Sequence, residues 1–280
     1  MSNPTVNFLL PEASTNSTTQ SIGILDSLNI CAYSIGFLFG LPSQFYVLWL
    51  IITGTGNGVA PEFFILNLSV CEIGICLKCF VYTLSYWFLH LSTLKLFFVG
   101  LTITGRPLFQ CLMCVERYLA VVHPVTFLKY KPLRYRVICC TAAWIIIIGS
   151  CLCCLFTMVS QNIVYIWLLS MQFLLFFSIQ LFCLVAVLRA LKQSGPGQRG
   201  RQREEEHNMK RRVFYLILVT TASMAIIYGP YIIIGFFTIM INEFMHPLWF
   251  IAFICYILSG FVDPVLYLHR TGKLSCLRLP

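Results

Sequence analysis

The chain has 280 residues, of which 59% are hydrophobic and only 10% are charged. Soluble globular domains carry about 25% charged residues, so this composition cannot cover a water-facing surface and excludes a single soluble domain. The formal charge of +9 comes from 19 Lys and Arg against 10 Asp and Glu. In a membrane protein the position of these charges matters more than their sum, and we expect a lipid bilayer rather than a nucleic acid as the partner.

Long stretches without charge predict the membrane spans in chain order. A helix needs ~20 apolar residues to cross ~30 Å of hydrocarbon. Residues 137–188 form a charge-free stretch of 52 residues, which suits two helices with a turn at 160–162. We predict an all-α bundle of seven transmembrane helices over residues 29–268, between an extracellular tail 1–28 and a short cytoplasmic tail 269–280. The predicted spans are 29–53, 62–86, 93–122, 136–158, 163–190, 212–240 and 247–268.

The basic residues predict the orientation of the bundle. Fifteen of the 19 Lys and Arg residues lie in the segments 123–136, 189–212 and 269–280. These segments share one side of a seven-span bundle. The positive-inside rule therefore places the N-terminus outside and the C-terminus inside. Within the second segment, the polar and Gly-rich residues 194–206 predict a flexible loop.

Two positions are candidates for modification. Asn16-Ser17-Thr18 is a glycosylation sequon in the predicted outer tail, and Cys276 is a candidate for palmitoylation beside the basic tail. We see no cleavable signal peptide. The chain has 14 cysteines, and none falls in a predicted outer loop. We therefore expect no disulfide, and we interpret Cys-x-x-Cys spacings within spans as helix packing rather than as metal sites.

Several motifs lie at defined depths of these spans. Glu116-Arg117-Tyr118 ends span three, Trp144 lies within span four, and Tyr228-Gly229-Pro230 predicts a kink in span six. Asp263-Pro264-x-x-Tyr267 places a costly acid and a second kink in span seven. Glu72 is a further acid, in the middle of span two.

The order of these motifs resembles that of the rhodopsin-like (class A) G-protein-coupled receptors. Gly40-Leu41-Pro42, and Asp rather than Asn before Pro264, are similar to the branch with nucleotide, lipid and protease-activated receptors. The resemblance implies a plasma-membrane receptor, not an enzyme and without a cofactor, that converts binding of an extracellular ligand into activation of a heterotrimeric G protein. Arg117 would be the pivot of coupling, and Val125 would enter a hydrophobic pocket on the G protein.

The sequence also departs from the family pattern. Gln44, Glu72 and Tyr228 replace the usual Asn, Asp and Trp, and span five has neither its proline nor its inner Tyr. Ser92 stands where the outer disulfide has a Cys. Lys210 takes a place where some members have an acid that pairs with the motif arginine, so we expect measurable ligand-free signalling.

Two other classes of function stay open. A seven-span protein that has lost signalling would act as a binding or dimerisation partner, which the missing Cys and Tyr favour. A transporter or channel would require inverted repeats or paired broken helices, and the sequence has neither.

Two lysines predict the chemistry of the ligand. Lys78 and Lys95 lie in the outer halves of spans two and three, and Lys95 returns to within ~40° of the face of Arg117 on an unbroken α-helix. They are candidate contacts for an anionic group such as a carboxylate. The alternative is that both side chains snorkel to the interface.

Arg106 predicts a buried charge cluster. An unpaired arginine in mid-span costs at least ~2.5–3.5 kcal/mol. Arg106 lies 11 residues before Arg117, within ~20° of the same face. The resemblance implies a sodium ion at this depth, with Glu72 and Asp263 as the matching acids. We predict that the guanidinium replaces sodium and bridges these two carboxylates.

Overall fold

The computed structural model describes residues 24–53, 63–130, 133–159, 164–192, 200–241, 251–252, 254–256, 260 and 264–265. The described chain is built of helices joined by short connections, as the sequence predicted. The helices are α1 (Ile24–Thr53), α2 (Phe63–Leu84), α3 (Ser92–Gly100), α4 (Arg106–Val122), α5 (Pro124–Tyr130), α6 (Leu133–Val159), α7 (Val164–Lys192) and α8 (Gly200–Ile241). A 3-10 turn occupies Leu89–Leu91, and a π-helical segment occupies Leu101–Gly105.

Six stretches of the described chain are long and apolar enough to cross a membrane. Spans one and two lie in α1 and α2, and spans four, five and six lie in α6, α7 and α8. Span three is the continuous helix Ser92–Val122, which joins α3, the π-helical segment and α4. The predicted seventh span is described only in part, between residues 251 and 265.

The helix α8 corrects one prediction about a connection. The sequence predicted a flexible loop over residues 194–206, but α8 already begins at Gly200. Residues 201–206 are Arg, Gln and Glu, which are strong helix formers. Their intrinsic propensity extends span six beyond its apolar part, and hydropathy alone could not detect this extension.

A proline separates span three from the short helix α5. His123 ends α4 with φ −128° and ψ 65°, because the residue before a proline is driven out of the helical region. Pro124 then starts α5, whose first turn needs no donor from its nitrogen. The chain therefore turns sharply at the end of span three.

Span three lies at the centre of the bundle, since more of it is buried than of any other described span. It crosses span four closely at Gly100, where a Cβ atom would approach the backbone of Ser150 and Cys151 to less than 3.0 Å. Small residues allow such close crossings in membranes. The apolar part of the core includes the fully buried Phe109 and Ile147.

Large apolar side chains cover the outer surface of the bundle. Leu38, Trp49 and Ile145 are examples that are more than half exposed. In water such a surface would be costly, whereas lipid tails are as apolar as these side chains. The exposed faces therefore fit the hydrocarbon of a bilayer.

Candidate functional site

The centre of the bundle holds a buried ion pair between spans two and three. The Nε atom of Arg106 donates to Oε1 of Glu72, and Nη2 donates to Oε2 of the same carboxylate. Each residue is 1% exposed. This forked geometry satisfies both carboxylate oxygens of Glu72. Asp263, the second acid of the predicted cluster, lies outside the described residues.

An aromatic ring from span seven lies against this ion pair. The guanidinium carbon of Arg106 is 4.8 Å from the ring centroid of Tyr256. The Nζ atom of Lys78 is 5.6 Å from the same centroid. Tyr228 and Tyr231 of span six contact Tyr256 edge to face, at 6.4 and 6.2 Å between centroids. One tyrosine thus contacts two cations and joins spans two, three, six and seven.

The π-helical segment has a cause in the sequence. Pro107 lies two residues after its end and has no backbone N–H. It therefore cannot donate to the carbonyl four residues earlier, as in an α-helix, or five residues earlier, as in a π-helix. The latter is the carbonyl of Thr102. The hydroxyl of Tyr228 donates to this oxygen at 3.2 Å. Tyr228, which replaces the family's usual Trp, therefore supplies a donor to a weakened point of span three.

The π-helical segment also changes the prediction for Lys95. A π-turn accommodates about one extra residue, which shifts the face of the preceding residues by up to about 100°. The angle predicted between Lys95 and Arg117 holds only for an unbroken α-helix, and span three is not one. The half-buried Lys95 places its Nζ atom 5.1 Å from the ring centroid of Tyr82 in span two. Arg106 lies after the segment, so its angular relation to Arg117 is unaffected.

Other polar contacts join the spans at this depth. The amide of Gln44 in span one donates to the carbonyl of Gly260 at 3.3 Å. The indole N–H of Trp144 donates to Oδ1 of Asn67 at 3.0 Å and links spans four and two. Gln44 therefore contacts span seven although it departs from the family's usual Asn.

A second polar group links spans three, four and five. The hydroxyls of Thr104 and Ser150 lie 2.6 Å apart. Thr104 also contacts Oε1 of Gln172 at 2.9 Å. Thr104 belongs to the π-helical segment, so this cluster ties the segment to spans four and five. The sequence analysis did not identify these three residues. Their positions within separate apolar spans gave no sign that they would meet.

We call the end of the bundle that carries Arg117 the basic end. There Nη2 of Arg136 in span four donates to Oε1 of Glu116. Arg136 is 7% exposed, and Arg117 beside them is half-buried. Arg136 was not among the predicted site residues. Its position one turn into α6 was the available signal.

The same end presents a short apolar helix. Val125 in α5 is 81% exposed, which leaves its side chain available for contact. The hydroxyl of Tyr118 and Nε2 of His123 are 3.1 Å apart, and their rings meet edge to face. This contact holds the turn that leads into α5.

Some predicted residues are described only in part. Pro230 lies inside α8, and Pro264 is buried in a helical turn. The side chains of Lys210, Asp263 and Tyr267 lie outside the described residues, as do Asn16 and Cys276. The cysteines of the described chain are free thiols, and its His, Cys, Asp and Glu residues form no group of three that could hold a metal ion.

Fold and site together define a polytopic membrane protein, a helical bundle with a charged centre. Comparison with known proteins identifies its family. Residues 43–267 match the model of the 7 transmembrane receptor (rhodopsin family), and the chain belongs to this family. It is therefore a multi-pass protein of the plasma membrane.

Three receptors illustrate the similarity. Chemokine XC receptor 1 of Mus musculus is 29% identical over 70% of this chain and 63% of its own length. Proteinase-activated receptor 1 of Xenopus laevis is 23% identical over 86% of this chain and 63% of its own length. The uracil nucleotide/cysteinyl leukotriene receptor of Rattus norvegicus is 24% identical over 76% of this chain and 67% of its own length. The chain spans less than two thirds of the length of chemokine XC receptor 1 and of proteinase-activated receptor 1. All three are receptors rather than enzymes.

Proposed function

We propose that this protein is a receptor that converts the binding of an extracellular ligand into the activation of a heterotrimeric G protein. The observation that carries the proposal is the arrangement of the basic end. Glu116-Arg117-Tyr118 closes the most buried span, and Val125 stands exposed on the next helix. A G protein would contact Arg117 and Val125 there. This orientation places the N-terminus outside and the C-terminus inside.

The switch in this proposal is the contact of spans three, six and seven. Tyr228 in span six contacts the π-helical segment and Tyr256, and Pro230 follows it by two residues in the same helix. Asp263, Pro264 and Tyr267 would form the matching element of span seven. Because a proline leaves a helix without one of its hydrogen bonds, spans six and seven can bend there and open the basic end.

The ligand would enter from the opposite end, where Lys78 and Lys95 lie. Both are half-buried cations against tyrosine rings. An anionic group would compensate their charge, which supports an anionic ligand. Asn16 would be glycosylated on that side, and Cys276 would be palmitoylated on the other.

A direct test is G-protein activation in membranes from cells that express the chain. We expect nucleotide exchange above that of mock-transfected membranes, and we expect Arg117→Ala to abolish the excess at equal surface expression. Arg134→Ala is a matched control, since Arg134 is an exposed arginine of the same end. Exchange at the mock level in the unmodified protein would favour the alternative, a binding or dimerisation partner without signalling. The missing Tyr of span five supports that alternative.

A further inference from the structure

The two cations near Tyr256, Arg106 and Lys78, are not neutralised to the same extent. Arg106 donates from Nε and Nη2 to the two carboxylate oxygens of Glu72. The described residues contain two salt bridges, Arg106–Glu72 and Arg136–Glu116, so within this part of the chain no carboxylate neutralises Lys78. A lysine that is half-buried in a membrane span without an anion is costly. The cation–π contact with Tyr256 offsets only part of this cost.

The position of Lys78 separates it from the central pair. It follows Glu72 by six residues on a continuous helix, which places it about 9 Å further along span two. The ring of Tyr256 contacts both cations. Lys78 therefore lies on the ligand-facing side of the ring, and the neutral ion pair of Arg106 lies deeper.

The side chains around Lys78 indicate the chemistry of the rest of the ligand, beyond its anionic group. Tyr231 packs against Tyr256, and Tyr33 stacks on Tyr82 at 3.8 Å between centroids. These walls are aromatic and suit an apolar or flat body. Lys95 is turned toward Tyr82 by the π-helical segment, so one lysine rather than two meets the ring of Tyr256. Among the described residues Lys78 has no carboxylate partner, and one such cation matches a monoanion.

We propose that Lys78 binds the carboxylate of a small organic acid with an apolar or aromatic body, and that Tyr256 transmits this binding to Arg106. This proposal rests on the receptor function proposed above and names the ligand class. A carboxylate draws the ammonium group away from the face of Tyr256. The ring then loses one of its two cations and changes its contact with the other. Since Tyr228 and Tyr231 also contact this ring, the change reaches span six.

Binding can be tested without signalling, on the purified full chain in detergent. The probe is benzoate, and its neutral isostere benzamide is the control, with ionic strength held constant by sodium chloride. For a Kd of ~1 mM, ~10 mM benzoate should raise the Tm by about 3–6 °C, and benzamide should not. Lys78→Gln should abolish the shift, Lys78→Arg should retain most of it, and Arg134→Gln, at the exposed arginine of the basic end, should leave it unchanged.

The same variants provide a readout without any probe. If no carboxylate of the protein neutralises Lys78, Lys78→Gln should leave the Tm unchanged or raise it. A fall of the Tm in Lys78→Gln would show an internal partner and overturn the proposal. Equal shifts with benzoate and benzamide, no shift with benzoate, or a shift that survives Lys78→Gln would do the same. These results do not depend on G-protein activation, so a protein that binds benzoate but fails to signal would refute only the proposed receptor function.

Discussion

Arg106 and Glu72 form a forked ion pair between spans two and three. Both side chains are buried, since each residue is 1% exposed. Burying two charges costs several kcal/mol each, which their mutual attraction offsets only when the geometry is good. Loss of one partner leaves the other charge buried and uncompensated. This asymmetry makes the pair the most sensitive point of the described bundle.

We expect Arg106→Ser to destabilise the protein by about 3–5 kcal/mol, because Glu72 loses its partner. This corresponds to a fall in Tm of roughly 10 °C, measured by thermal unfolding in detergent. The exposed Arg134→Ser should change the Tm little. The double variant Arg106→Met with Glu72→Leu should recover part of the loss, since it removes both charges of this ion pair. A single variant as stable as the unmodified protein would show that the pair contributes nothing.

The ion pair also predicts that sodium has little effect on this receptor. The guanidinium already occupies the carboxylate that would bind the ion. Replacing sodium chloride with choline chloride should therefore leave both the Tm and the basal nucleotide exchange unchanged. In Arg106→Ser the vacated Glu72 can accept sodium, and a sodium-dependent rise in Tm should appear. A strong sodium effect in the unmodified protein would refute the replacement.

At the basic end, Arg136 holds the carboxylate of Glu116 and thereby competes with Arg117 for it. We expect Arg136→Gln to lower ligand-free signalling by roughly twofold to fivefold, since a partly exposed ion pair is worth ~0.5–1 kcal/mol. The exposed Arg134→Gln serves as control at equal surface expression. Unchanged or increased basal exchange in Arg136→Gln would contradict this role.

The crossing of spans three and four provides a test of packing. Gly100→Ala forces a methyl group into the backbone of Ser150 and Cys151, and we expect a loss of about 1–3 kcal/mol. Gly149 is a matched control in the opposing helix, because a Cβ there meets no atom within 4 Å. Gly149→Ala should be neutral or stabilise by up to ~1 kcal/mol through helix propensity. Equal Tm values for both variants would mean that the helices separate easily at this point.

Tyr228 tests the link between the π-helical segment and span six. Tyr228→Phe keeps the ring contacts with Tyr256 and Phe173 but removes the donor to the carbonyl of Thr102. We expect a loss of about 0.5–1.5 kcal/mol in stability and a changed basal nucleotide exchange. Wild-type values for both measurements would show that water satisfies the carbonyl as well as Tyr228 does.

The sequence by itself determined the helical membrane fold and placed Glu72 and Arg106 within spans two and three. Spacing on one α-helix was sufficient to place Arg106 on the interior face with Arg117, because no irregularity lies between them. Hydropathy did not predict that α8 extends beyond its apolar part, because residues 200–206 are polar although most of them favour a helix.

Only the tertiary structure decided which side chains meet. The π-helical segment rotates Lys95 toward Tyr82 and brings Thr102 to Tyr228, and a one-dimensional pattern with a constant angle per residue cannot contain such a shift. Likewise, Arg136 meets Glu116, and Tyr256 meets both Lys78 and Arg106, through contacts between different helices. The sequence sets the face of each residue on its own helix, but the relative rotation and crossing of helices follow from close packing at points such as Gly100.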